Sequence, residues 1–202
     1  MFIERPPFLY RMYFSEALWR IPQSEKTVYL TFDDGPIPQV TPWVLEQLAK
    51  YDVHATFFCT GDNVARNPHL FESLRKAGHQ VGNHTMSHVQ GLKMNTKDYL
   101  RNIEKANDLI QSPLFRPPHG FMRPSQFAAI KEHYTTVMWD VVTRDYSRKL
   151  SGEDVFANVR NYVRNGSIIV FHDSLKAQKN MQYALPRSIE WLLENGYRFE
   201  TL

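Results

Sequence analysis

Apolar runs of three to six residues recur along this chain, separated by polar stretches rich in glycine and proline. They are VYLTF (28–32), HATFFC (54–59), QVGN (80–83), LFR (114–116), TTVMW (135–139), SIIVF (167–171) and YRFE (197–200). Short runs of this kind, rich in β-branched and aromatic residues, read as strands. Between most of them lie segments with helical grammar. Thr41-Pro42 supplies an N-cap and a first-turn proline before WVLEQLAKY, and Asn67-Pro68 repeats the device before HLFESLRKA, which Gly78 stops. Thr96 can cap KDYLRNIEKANDLI, whose Leu100, Ile103, Leu109 and Ile110 share one face. DVFANVRNYVRN runs into Gly166, and ALPRSIEWLLEN into Gly196. Seven strands mostly separated by helices predict an α/β fold: a distorted (β/α) barrel of about seven parallel strands, or an open doubly wound sheet. In both, functional residues gather at the C-terminal ends of the strands.

No repeat, low-complexity tract or linker interrupts the pattern, so residues 1–202 read as one domain, with 1–26 an N-terminal extension packing on the barrel. Hydrophobic residues at 43% and charged residues at 22% suit a globular core. Aromatics reach 13%, an excess that serves core packing before a sugar-binding cleft. The net charge of +3, with no cluster of Lys and Arg, argues against nucleic-acid binding. A single cysteine, Cys59, excludes an internal disulfide and a cysteine zinc cluster. No apolar stretch approaches the roughly 18 residues of a membrane span. The aromatic N-terminus lacks the basic start and continuous apolar run of a secretory signal, so the expected location is cytoplasmic. No feature sets an oligomeric state.

The polar residues that stand out follow the strands. Asp33 and Asp34 follow VYLTF, His84 and His88 follow QVG, and Arg116 follows LF. Asp140 and Asp145 sit in WDVVTRDY, while His172 and Asp173 follow SIIVF. A parallel barrel would bring these groups to one rim. Two histidines three residues apart can face one point, and a carboxylate completes a three-ligand N/O set with an open position, the pattern of a catalytic zinc or similar ion. In isolation HxxxH reads more readily as two solvated loop histidines, and DDG as a turn. Together they fit a cation held by one carboxylate while its neighbour takes a proton from water.

TFDDGP, HTMSH, RPPHG, WDVVTRDY and VFH stand in the order of the polysaccharide deacetylase family, the NodB-homology or carbohydrate esterase family 4 enzymes, which the chain resembles from about Thr27 to His172. The resemblance implies Asp33 as general base, and Asp34, His84 and His88 as ligands of one divalent ion, zinc first, with cobalt, nickel or manganese as alternatives. It implies that Arg116 holds the base carboxylate, that the His119 backbone N–H stabilises the oxyanion, and that His172 is the general acid oriented by Asp145. Tyr146 and Val170 would line a pocket for the acetyl methyl group. The implied activity is removal of N-acetyl groups from N-acetylglucosamine-containing saccharides. O-acetyl ester cleavage, as on xylan, a small-molecule amide and a silent carbohydrate-binding protein are the alternatives. The family commonly carries Tyr where His119 stands and Trp where Tyr146 stands. Asp140 reads as a structural support, and His119 as lining the cleft; His54, His69, His79 and His133 match no motif.

Overall fold

The computed structural model describes residues 4–202, so the first three residues of the N-terminal extension lie outside the described residues. A curled sheet forms the centre. Its strands are β1 (Thr27–Asp33), β2 (Thr56–Cys59), β3 (Gln80–Asn83), β4 (Leu114–Phe115), β5 (Thr135–Thr136), β6 (Val141–Val142), β7 (Ser167–His172) and β8 (Arg198–Glu200). They lie in the order β5-β4-β3-β2-β1-β7-β6, and each ladder is parallel. β8 joins beside residues 27–29 of β1, while β2 takes residues 31–33 on that strand. The expected distorted barrel is thus the architecture, with seven strands on its path and an eighth at the margin.

The helices are α1 (Phe8–Tyr13), α2 (Thr41–Lys50), α3 (Gly61–Arg66), α4 (Pro68–Lys76), α5 (Thr96–Ile110), α6 (Pro124–Ile130), α7 (Gly152–Tyr162) and α8 (Gln178–Glu194). Gly78, Gly166 and Gly196 hold φ near +75 to +79°, which explains why the chain turns there. Two expected caps take other forms. Asn95, rather than Thr96, caps α5 by accepting the Asp98 N–H at 2.9 Å. Thr41 begins α2 without capping it; its hydroxyl accepts the Ile37 N–H and donates to Asp173.

β1 is buried along its whole length, as a strand flanked on both sides must be. Phe32 stacks on Phe57 at 4.9 Å and leans on Phe171 at 6.2 Å. Val44 and Leu48 of α2 and Ile189 and Leu192 of α8 pack into the same cluster. Each such side chain contributes about 1.5–3 kcal/mol. A second cluster joins Phe115, Met138 and Trp139 to Phe14 and Trp19 of the N-terminal extension.

TTVMW is not one strand. After β5 the chain changes partners residue by residue: Val137 N–H donates to Phe115, Met138 N–H to Leu18, and Asp140 N–H to Ile168. The segment therefore leaves one edge of the sheet and enters β6 at the other. The N-terminal extension fills the seam between those edges, pairing Leu18 with Val137 and Arg20 with Ser167. No helix among the described residues is long and apolar enough to cross a membrane.

Candidate active site

β1 and β7 run in register, and Asp33 stands opposite His172 at their C-terminal ends. His84 follows β3 directly, and its N–H donates to the last residue of β2, Cys59. Arg116 follows β4. The sheet thus delivers Asp33, His84, Arg116 and His172 to one rim. Asp34, His88 and His119 come from the loops after it, each with a left-handed backbone: φ is 86°, 52° and 61°. Thr85 and Arg144, in the same loops, hold φ of 65° and 62°. A non-glycine residue held this way costs about 1–3 kcal/mol and persists where its surroundings fix it, a pattern that concentrates at functional sites.

Asp34, His84 and His88 offer ligand atoms within 4.8 Å of one another. His84 is buried, and burial lowers its pKa to about 4, so the ring is neutral. Its Nδ1 lies 2.7 Å from the Arg116 carbonyl, which can only accept, so Nδ1 carries the proton and Nε2 presents its lone pair. That Nε2 lies 3.9 Å from Asp34 Oδ1. Nε2 of His88 lies 3.2 Å from the same oxygen, which is buried without a hydrogen-bond partner. Burial alone would raise the Asp34 carboxyl, but the His88 ring and the His172 charge hold it below the usual range. An ionised, unpartnered carboxylate oxygen facing a neutral imidazole lone pair is a donor set that fits a divalent cation.

Asp33 faces the other way. Its Oδ1 accepts from Arg116 Nη1 at 2.7 Å, while Oδ2 lies 3.9 Å from His84 Nε2. Arg116 is fully buried, sits 4.0 Å above the Phe58 ring, and donates to Thr31 Oγ1 and to the carbonyls of Val137 and Met138. Burial lowers its pKa below the ordinary arginine value. His172 Nδ1 donates to Asp145 Oδ1 at 2.8 Å, and the His172 N–H donates to Asp145 Oδ2 at 2.7 Å. Burial works against the imidazolium, yet the Asp145 charge and hydrogen bond outweigh it and raise His172 to about 9.

A cleft of about 490 Å³ joins these groups. Asp33, Asp34, His84, His88, His119 and His172 form its polar side; Trp139, Val142, Tyr146 and Val170 form an apolar wall. Tyr146 meets the His172 ring edge-on at 4.9 Å, and the His119 ring lines the cleft 4.8 Å from that of His88. Asp140 is elsewhere: buried, it takes hydrogen bonds from Arg11, Arg164 and Ser167 near the start of β7. His79 is buried too and, like His54, His69 and His133, does not line the cleft.

One residue the sequence offered without a role is Asp173. Fully buried, it accepts from the Gly35 N–H at 3.0 Å and from Thr41 Oγ1 at 2.6 Å, tying the DDGP turn to β7. Burial raises its carboxyl to about 8. Its place directly after a strand-end histidine was the available signal.

Residues 20–138 match the family model described as polysaccharide deacetylase. That stretch holds Asp33, Asp34, His84, His88, Arg116 and His119; Asp145 and His172 lie beyond it. A peptidoglycan-N-acetylglucosamine deacetylase of Bacillus cereus is 35% identical over 192 residues, covering 91% of this chain and 90% of that protein. A chitooligosaccharide deacetylase of Sinorhizobium fredii is 37% identical over 156 residues, covering 73% and 72%. The solved structure of a peptidoglycan N-acetylglucosamine deacetylase in complex with 4-naphthalen-1-yl-N-oxidanyl-benzamide superposes with a TM-score of 0.90 at 30% identity, covering 98% of this chain and 95% of that one.

Proposed function

The chain belongs to the polysaccharide deacetylase family, and on that premise we propose that it is a metal-dependent hydrolase removing N-acetyl groups from N-acetylglucosamine-containing saccharides. The observation that carries this is the meeting of a cation-ready Asp34–His84–His88 set with Asp33 and His172 across one cleft. A divalent ion held by that set would polarise the acetyl carbonyl and acidify water. Two imidazoles and a carboxylate suit zinc first, then cobalt, nickel or manganese.

The remaining chemistry belongs to the chain's own side chains. Arg116 engages one oxygen of Asp33 and leaves Oδ2 to accept a proton from the attacking water. Water oxygen bonds to the acetamide carbon, and the His119 N–H faces the oxygen that gains charge. His172, an imidazolium below about pH 9, gives its Nε2 proton to the nitrogen as the C–N bond breaks. Acetate and a free amino sugar leave. Asp145 keeps the acid oriented and charged, while Tyr146 and Val170 take the acetyl methyl group.

Peptidoglycan is the first substrate to test, since the Bacillus cereus relative carries that name and aligns over most of its length. Soluble N-acetylglucosamine oligomers are the second, since a chitooligosaccharide deacetylase is among the relatives. Acetate release should depend on added zinc or cobalt and stop with chelator. Asp33→Asn should stay metal-loaded yet inactive, whereas His84→Ala should lose the metal. Chelator-insensitive release, or none from any substrate with metal present, would count against the proposal.

A further inference from the structure

The segment before residue 20 lies outside the family match, yet it reaches the catalytic rim. Tyr10, on α1, donates its hydroxyl to the carbonyl of Gly120. The Tyr10 ring lies 5.6 Å from that of Phe121, the next residue, and 5.6 Å edge-on from Trp19. Trp19 in turn stands 6.1 Å from Trp139. On its other side Gly120 is pressed against Trp139: a Cβ there would come within 2.1 Å of the ring. The turn Pro118–Gly120 is thus gripped between Trp139 and Tyr10. It needs holding, because His119 is left-handed, with φ of 61°, while Gly120 beside it takes φ of 74° freely and its N–H closes back on Pro117 at 3.0 Å. Burial raises the Tyr10 phenol well above its ordinary value, so the hydroxyl remains a donor throughout the working pH range.

We propose that Tyr10 is a positioning residue for catalysis: by fixing the Gly120 carbonyl it sets the direction of the His119 N–H toward the developing oxyanion. This rests on the oxyanion role given to that N–H above. Among the described residues no hydrogen bond or ring contact joins Tyr10 to a metal ligand or to His172, and its hydroxyl acts on the turn alone. Losing an oxyanion donor costs about 10²–10³ in rate, and turning one aside costs part of that.

The test compares zinc-loaded parent chain with Tyr10→Phe, which keeps the ring and its packing, on an N-acetylglucosamine oligomer. kcat should fall roughly 10- to 100-fold, with KM, zinc affinity and the basic pH limit within two-fold or a few tenths of a unit. Leu18→Val, in the same segment but remote from Gly120, should lower Tm without changing kcat. An active parent whose Tyr10→Phe variant keeps its kcat overturns the inference alone. So does a kcat loss matched by a loss of zinc or by the Leu18→Val variant, since either marks general loosening. A parent inactive with metal on every substrate overturns the proposed function, and the inference with it.

Discussion

Arg116 sets a guanidinium in the core with no exposed surface, and five hydrogen-bonding or ring contacts surround it. In sequence it would pass for a surface arginine; the family motif, rather than its neighbours LF and PP, assigns it a place. Arg116→Ala would strand the buried Asp33 carboxylate without a partner, so we expect a loss of about 3–5 kcal/mol in urea unfolding. His172 carries the matching expectation for pH. Its pKa is raised to about 9 from 6.5, so the proton it gives is held below pH 9, and kcat/KM should decline as pH climbs through that value. Asp145→Asn removes the charge that raises it, and the decline should begin nearer pH 6.5 or lower. A pH–rate limb that ignores Asp145 would assign the acid to another group. The same shift bears on folding: a raised native pKa contributes stability below pH 6.5 that is lost as pH rises through 9. Denaturant midpoints measured at pH 6 and 9.5 should therefore converge in Asp145→Asn.

The strand pattern places most of these groups. The run VYLTF ends one residue before β1 does, Asp33 being the last residue of that strand, and SIIVF leads straight to His172. What the linear pattern could not give is how the loop residues turn. Asp34, His88 and His119 reach the cleft through left-handed backbone, which Asp and His adopt more readily than most residues but only where their surroundings fix it, so spacing alone leaves HxxxH and DDG ambiguous. The turn after β1 is held from outside itself, by Asp173 at the far end of β7 and Thr41 at the start of α2. Asp173→Ala should cut zinc affinity about 10- to 100-fold by freeing the turn that aims Asp34, read by competition with a chelator dye. Asp173→Asn, still able to accept the Gly35 N–H, should lose less. Gly35→Ala should fail outright, since a Cβ there would lie 2.0 Å from Asp173 Oδ2.

At the scale of the molecule the alternation of strands and helices predicted the parallel architecture and the rim that carries the chemistry. The seam was not legible. TTVMW has the composition of one strand, but its Val137 and Met138 bond to Phe115 and Leu18 in turn and the residue after the run, Asp140, to Ile168, and local propensity carries no record of such a change of partner. Nor could residues 14–20 announce that they fill the gap between the sheet's two edges, because their aromatic content reads alike for any packed surface.

That gap is closed by contacts between residues far apart in sequence. Leu18 must find Val137, and Arg20 must find Ser167, across more than a hundred intervening positions, so each closure carries a sizeable entropic cost. Long-range closures of that kind slow folding and tend to form after the transition state. Kinetics should show it: Leu18→Val and other changes confined to residues 14–20 should accelerate unfolding in stopped-flow chevrons while the refolding limb stays in place. Residues 14–20 would then be the first part to come away, and opening of the active-site wall would precede loss of the barrel.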